Sequence, residues 1–106
     1  MIDISGKVCT FKMVSGEEII GRVKVGQVLA NGRLSSVIEL DRPMVVRPVQ
    51  TERGVDFQMY PWVFSVDGSI DLYEHTIMGT KYTDLEFEKA YLQRVSGLEL
   101  PQTLIG

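Results

Sequence analysis

The sequence predicts a mainly β protein: a small antiparallel sheet that curls into a barrel, followed by one C-terminal helix. Apolar and polar residues alternate in several short segments, as in strands with one buried face. Turn residues separate these segments closely, which is typical of antiparallel sheets. Helical periodicity begins only after Thr83. We therefore predict a single domain over residues 1–106, with the barrel at about residues 7–82 and the helix at about residues 84–96.

Composition narrows the class of protein. The hydrophobic fraction of 44% is typical of globular chains, and the net charge of −3 does not indicate a basic nucleic-acid-binding face. A single cysteine excludes an intramolecular disulfide and fits a reducing compartment. Asp3 and Lys7 interrupt any signal-like apolar run at the start, and no segment is apolar enough to span a bilayer. We expect a soluble, cytoplasmic protein with no membrane partner.

Residues 11–25 predict a hairpin around which the rest of the chain is organised. Cys9, Phe11 and Met13 alternate with polar residues, and a second alternating segment begins after the turn around Gly16. Glycine can adopt a positive φ at little steric cost, so this turn can be tight. Gly21 lies inside the second strand, where glycine indicates a bend or a close backbone approach.

Further extended segments follow, separated by turn residues, at residues 37–40, 44–49, 55–60 and 70–77. Asn31-Gly32 is a strong turn signal that either closes a small hairpin between residues 28–29 and Leu34 or lies in a longer loop. Asp41-Arg42-Pro43 interrupts the extended pattern. Because proline lacks a backbone N–H, Pro48 should lie at a sheet edge or a bulge.

The helix is predicted from three- and four-residue spacing of apolar residues: Phe87, Ala90, Tyr91, Val95 and Leu98. Thr83 and Glu86 have the spacing of a capping box, and Gly97 is a candidate C-terminal cap. The apolar tail after Gly97 should dock on its own barrel or on a neighbouring subunit.

The titratable residues do not form a catalytic pattern. His75 follows Glu74 on a predicted strand, so the two side chains should face opposite sides. Cys9 is in phase with core positions, and Glu17-Glu18 fit a solvated hairpin edge. We find no metal-ligand spacing and no phosphate-binding loop. We therefore expect a protein that is not an enzyme and has no metal or cofactor.

Residues 60–64 form an aromatic segment with two interpretations. In one, Tyr60 and Trp62 belong to a surface that stacks on bases or contacts a protein. In the other, the segment is a corner that closes the core. We favour the core, because the single tryptophan of a small domain usually belongs there.

Two short motifs resemble those of the Sm-like (LSm/Hfq-type) family. The spacing of Gly16, Gly21 and Val23 is similar to the first half of the first Sm motif, and Ile77-Met78-Gly79 resembles a degenerate second motif. The Arg42-Pro43-Met44 step is most similar to Sm-like proteins of bacteriophages. If the chain is of phage origin, its compartment would be the host cytoplasm.

This resemblance implies an open SH3-like/Sm-like barrel and a homo-oligomeric ring of subunits joined edge to edge. It also implies single-stranded RNA bound near the ring pore. The binding residues are expected in two loops, with Asn31 and Arg33 in one and Lys81 and Tyr82 near the other. In the alternative hypothesis the chain is an oligomeric scaffold or phage assembly protein without nucleic-acid binding. Met78 in place of the usual motif arginine and the acidic balance favour that alternative.

Overall fold

The structure is a computed structural model that describes the backbone of residues 1–63 and 68–105 and the side chains of residues 1–63 and 68–96. The protein is mainly β, with antiparallel sheets and a C-terminal helix, as predicted. The described strands are β1 (Ile2–Asp3), β2 (Val8–Met13), β3 (Glu18–Val25), β4 (Gln27–Val28), β5 (Val37–Thr51), β6 (Gly54–Pro61), β7 (Ser69–Tyr73) and β8 (Ile77–Tyr82). A 3₁₀ helix spans Glu74–Thr76, and helix α1 spans Leu85–Ile105.

The main sheet follows the strand order β6-β5-β3-β2-β8, and every described strand pair is antiparallel. Strand β7 pairs with the first part of β5, on the side that β6 occupies further along the strand. Strands β1 and β4 form a separate two-stranded sheet. Among the described residues β6 and β8 do not pair, so the sheet is not closed into a barrel.

Strand β5 bends at the Asp41-Arg42-Pro43 step, which the sequence predicted as an interruption. Ile20 pairs with Met44 and Arg22 with Asp41, so the single residue Gly21 lies opposite Arg42 and Pro43. This is a β-bulge, and Arg42 adopts a φ of 48° there. The predicted pair of extended segments is therefore one strand that pairs first with β7 and then with β6.

Gly21 is required sterically at this bulge. A Cβ atom at this position would lie 2.6 Å from Cγ of Leu40, which is fully buried. The glycine therefore permits the close approach of β3 and β5.

The Tyr91 hydroxyl of α1 satisfies the backbone groups of the bulge. It lies 3.0 Å from the carbonyl oxygens of both Asp41 and Arg42, to which it can donate, and it accepts the N–H of Arg22 at 3.3 Å. Burial raises the pKa of Tyr91 from 10.0 to about 12, because the phenolate would be poorly solvated.

Two hydrophobic cores lie on opposite faces of the sheet. The first includes Phe11, Ile19, Leu40 and Leu72, with Trp62 packed against it. The second lies under α1 and includes the buried side chains Val8, Ile20, Met44, Val46, Met59 and Tyr91. Strands β2 and β3 contribute to both cores, so their residues are buried on both faces. This explains why the alternation in residues 18–20 is incomplete.

Several local predictions are settled by these elements. The 3₁₀ helix breaks the predicted continuous strand at residues 70–77, so that part of the prediction was wrong. The Asn31-Gly32 turn does close a small hairpin, with Val28 bridged to Leu34. Pro48 lies in the part of β5 that pairs with β6 on one side and with no described strand on the other. It is therefore at a sheet edge, as predicted. Trp62 is half-buried against the first core, which agrees with the core interpretation, whereas Phe64 lies outside the described residues.

The helix differs from its predicted bounds. It begins at Leu85 and continues past residue 96 to Ile105, so Gly97 does not end it. A glycine inside a helix costs only about 1 kcal/mol, which neighbouring turns can offset. The Thr83 hydroxyl, predicted to cap the helix, lies 2.8 Å from the Thr10 hydroxyl in a buried pair. The prediction that the apolar tail docks on a surface concerns side chains that lie outside the described residues.

We predict that Gly21→Ala destabilises the protein by roughly 1–3 kcal/mol, because the added methyl overpacks against buried Leu40. Gly79→Ala is the matched control, since a Cβ at Gly79 would meet nothing within 4 Å. Urea denaturation measures both free energies of unfolding. Equal values for the two variants would contradict the steric role of Gly21.

We predict that Tyr91→Phe lowers the free energy of unfolding by roughly 1–3 kcal/mol, because backbone groups of the partly buried bulge lose their hydrogen-bond partner. The folded-state pKa is raised, so the wild-type stabilisation is complete below pH 10 and is lost as the pH rises towards about 12. The Phe variant should lack this component. Tyr73→Phe, at an exposed position, is the control in denaturation curves at pH 8 and above pH 10. An identical pH dependence in wild type and Tyr91→Phe would refute this assignment.

Candidate nucleic-acid interface

The loop between β4 and β5 contacts the 3₁₀ helix through an ion pair. Nε and Nη2 of Arg33 donate to Oε1 of Glu74 at 3.1 and 2.8 Å. The backbone N–H of Glu74 donates to the carbonyl of Ser36 at 3.0 Å. These bonds join two segments that are about forty residues apart in sequence. We call this unit, residues 29–36 with residues 73–76, the loop cluster.

Asn31 shapes the turn that positions Arg33. Its Oδ1 accepts the backbone N–H of Arg33 at 3.0 Å, and the N–H of Leu29 donates to the carbonyl of Arg33 at 2.7 Å. Gly32 takes a φ of 82°, which suits this tight turn. Asn31 and Arg33 are therefore brought together, as predicted, and both are exposed.

Two aromatic side chains flank Glu74. The rings of Tyr73 and His75 have centroids 6.2 Å apart and an interplanar angle of 32°, and both residues are exposed. Exposed aromatic rings beside a cationic group can stack on nucleobases. This pair was not predicted. Tyr73 and His75 would also have shared a face of the predicted strand, but the pattern gave no sign that both rings would be exposed beside Glu74.

Lys81 and Tyr82 lie away from the loop cluster. Nζ of Lys81 forms an ion pair with Oδ1 of Asp84 at 3.0 Å, and Tyr82 pairs with Cys9 in the sheet. Strand β8 separates these residues from the 3₁₀ helix by roughly 16 Å, at 3.3 Å per residue. Among the described residues no contact joins the predicted pair Asn31 and Arg33 to the predicted pair Lys81 and Tyr82 within one subunit.

The three glycines of the Sm-like motifs have different environments. Gly16 has a φ of 105° in the β2–β3 turn, and Gly21 allows the close approach of Leu40. Gly79 is exposed on β8 with open space around it. Met78, which stands where the second motif usually has arginine, is 69% exposed. Packing thus requires Gly21, whereas it does not require Gly79.

A mainly apolar groove of about 330 Å³ adjoins the loop cluster. Its walls include Val14, Trp62, Leu72 and Tyr73. The indole N–H of Trp62 donates to Oε2 of Glu17 at 3.0 Å. Two hydrogen bonds lower the pKa of the Glu17 carboxyl: the bond from Ser15 has the larger effect and the bond from Trp62 the smaller one. Tyr73 therefore belongs both to this groove and to the exposed aromatic pair.

Two features of the described residues bear on catalysis: the burial of Cys9 and the placement of side chains that could bind a metal. Cys9 is buried, and burial raises the pKa of its thiol to about 11, which disfavours the reactive thiolate. No group of three or more His, Cys, Asp or Glu side chains within the described part of the chain is arranged to hold a metal ion. Among the same residues, no helix combines the length and apolarity that crossing a membrane requires.

No protein-family model matches the chain, and no curated protein matches it.

Proposed function

We propose that this protein is a non-enzymatic, Sm-like protein that assembles into a homo-oligomeric ring and binds single-stranded RNA through the loop cluster. The observation that carries the proposal is the Arg33–Glu74 contact, which joins the β4–β5 loop to the 3₁₀ helix, where Tyr73 and His75 are exposed on either side of Glu74 in the chain. In an Sm-like arrangement, loops of this kind bind RNA near the pore.

The strand path supports an Sm-like arrangement. The family resemblance implies a strongly bent five-stranded antiparallel sheet, and the path β6-β5-β3-β2-β8 has five antiparallel strands. Its bend lies at Gly21, a glycine of the first motif, and Gly16 forms the turn that this motif requires. The sheet is left open between β6 and β8, as an Sm-like open barrel would be.

The free sheet edges support assembly. An unpaired edge exposes backbone N–H and C=O groups that favour pairing with another strand. A subunit with two such edges can satisfy both by head-to-tail pairing, and such pairing closes into a ring when the rotation per subunit allows it. Among the described residues β6 and β8 end the strand path, and β7, which pairs only with β5 there, has a further free edge.

We predict that the protein forms a stable oligomer in solution and that nucleic acid copurifies with it. The bound nucleic acid should appear as excess absorbance at nucleic-acid wavelengths relative to protein wavelengths. Light scattering with absorbance detection measures the mass and the nucleic-acid content in one run. Titration of single-stranded RNA at two salt concentrations then tests binding, whose affinity should fall with salt as cationic contacts release counterions. A monomer would overturn the ring. An oligomer with neither copurified nor added RNA bound would overturn the RNA proposal.

We predict that Tyr73→Ala weakens RNA binding by roughly 1–3 kcal/mol, which is the usual contribution of one stacked base. Tyr73→Phe retains the ring and should keep the affinity, so it separates stacking from the hydroxyl. Both variants should keep the mass of the oligomer, because Tyr73 lies on β7 and not on β6 or β8, the strands proposed to join the subunits. Unchanged affinity in Tyr73→Ala would remove the loop cluster as the binding surface.

A second candidate is an oligomeric scaffold or phage assembly protein that has the same ring and binds no nucleic acid. The observation that favours it is the neutralisation of Arg33 by Glu74, together with exposed Met78 at the motif arginine position. Glu74→Gln distinguishes the two candidates. Glutamine keeps an oxygen that can accept from Arg33 but removes the negative charge. This change should strengthen RNA binding if the loop cluster is the site, and it should change nothing in a scaffold.

A further inference from the structure

The hydrogen bonds at the two ends of β7 show which of its backbone groups face away from β5. At one end the N–H of Glu74 donates to the carbonyl of Ser36 at 3.0 Å. At the other end the N–H of Arg42 donates to the carbonyl of Gly68. Bonded residues alternate along an antiparallel ladder. The even-numbered residues of β7 therefore bond to β5, and the odd-numbered residues turn their N–H and C=O groups to the other edge.

This outer edge of β7 offers main-chain groups to a further strand. Asp71 presents both its N–H and its C=O there, and Tyr73 presents its N–H. The carbonyl of Tyr73 accepts the hydroxyl of Thr76 at 2.6 Å. Among the described residues no strand pairs with this edge. Exposed sheet edges of this kind bind extended peptides through main-chain hydrogen bonds, a mode called β-augmentation.

The groove of about 330 Å³ beside the loop cluster lies along the same edge. Ile70 and Leu72 face the first core and line the groove, and Val14 and Trp62 also belong to its walls. Residues directly opposite one another in a sheet lie on the same face. A strand added to β7 would therefore place alternate side chains in the groove, opposite Ile70 and Leu72. Because the groove is mainly apolar, these side chains should be apolar.

The residues between them would meet a negative charge on the other face. Asp71 is exposed there and forms no ion pair among the described residues. Glu17, which holds the indole of Trp62, adds a second carboxylate near the groove, and its lowered pKa favours the charged form. Opposite charges stabilise cross-strand pairs, whereas like charges destabilise them. A basic side chain opposite Asp71 is therefore favoured, and a nucleic-acid phosphate is disfavoured.

We propose that the outer edge of β7 binds an extended peptide segment of a partner protein in which apolar and basic residues alternate. The apolar side chains enter the groove opposite Ile70 and Leu72, and a basic side chain pairs with Asp71. The segment adds antiparallel to β7, as every described strand pair is antiparallel. This inference does not depend on the proposed ring or on RNA binding, because β7 is neither of the strands proposed to join the subunits.

The C-terminal segment of the chain itself does not fit this edge. Leu98 and Leu100 have the spacing of two groove side chains, but Glu99 between them would lie opposite Asp71. The backbone of these residues is also part of α1. A segment of opposite charge, from a different protein, is therefore the better occupant.

The first test measures peptide binding to the full-length, nuclease-treated protein by fluorescence anisotropy. The probe is a labelled, end-blocked peptide of about seven residues, near the usual strand length, in which lysine and valine alternate. The control peptide has glutamate in place of each lysine and should bind at least about fivefold more weakly, because like charges then face each other. Equal affinities for the two peptides, or no binding of the lysine peptide, would overturn the proposal.

Backbone methylation tests strand addition directly. In an antiparallel joint the peptide residue opposite Asp71 exchanges both main-chain bonds with it, so the lysine N–H groups face β7 and the valine N–H groups face away. N-methylation of the lysines should abolish binding, whereas N-methylation of the valines should leave it. If both methylated peptides bind like the parent peptide, strand addition is wrong. Loss of binding only with methylated valines would overturn the antiparallel direction.

Two pairs of protein variants test the contacts on each face. Asp71→Lys should weaken the lysine peptide and strengthen the glutamate peptide, each by about fivefold. Asp56→Lys makes the same charge change at an exposed position on β6 and should alter neither affinity. Val14→Ser should weaken the lysine peptide by about fivefold through lost apolar contact. Val25→Ser is its control, since Val14 and Val25 are both 59% exposed and Val25 lies outside the groove.

These outcomes are distinguishable from those of the proposed function. A monomer without RNA that binds the lysine peptide in the predicted way would support this inference while the ring and RNA proposals failed. An RNA-binding ring with no affinity for the lysine peptide would overturn this inference alone. Affinities that do not change in Asp71→Lys and Val14→Ser would show that the peptide binds elsewhere, and would also overturn it.

Discussion

The hydrogen bonds of the Tyr91 hydroxyl at the β5 bulge are the contact on which the rest of the structure depends. The bulge turns β5 from its pairing with β7 to its pairing with β6, and it leaves backbone groups of Asp41, Arg42 and Arg22 to be satisfied. An unsatisfied buried backbone group costs about as much as a lost hydrogen bond. One side chain from α1 thus holds the helix on the sheet and stabilises the bend in β5.

Local patterning was sufficient to predict the class of fold and most of its strands. Phe11 and Met13 alternate cleanly because only their side of β2 meets the first core, and Gly21 indicated its own close approach. The 3₁₀ helix at Glu74–Thr76 was not predictable in this way, since three residues are too short to show a period. The end of α1 was also predicted wrongly. Glycine is common at helix ends, but here the helix continues through Gly97 to Ile105.

The loop cluster was predictable only in part, for a related reason. Asn31 and Arg33 were expected from the resemblance, because they lie in a loop where Sm-like proteins bind RNA. Their partner Glu74 is 41 residues away from Arg33, and nothing local to either residue indicates that the two meet. Tyr73 and His75 became neighbours through the same 3₁₀ turn. Sequence patterns thus identified one side of the site, whereas tertiary contacts assembled the other.

The position of Trp62 gives the molecule an intrinsic optical probe. The chain has a single tryptophan, and its half-buried indole lies in the wall of the groove beside Tyr73 while donating to Glu17. Indole emission depends on the polarity and hydrogen bonding around the ring. Occupation of the groove, or release of the Glu17 carboxylate, should therefore change the emission of the unlabelled protein.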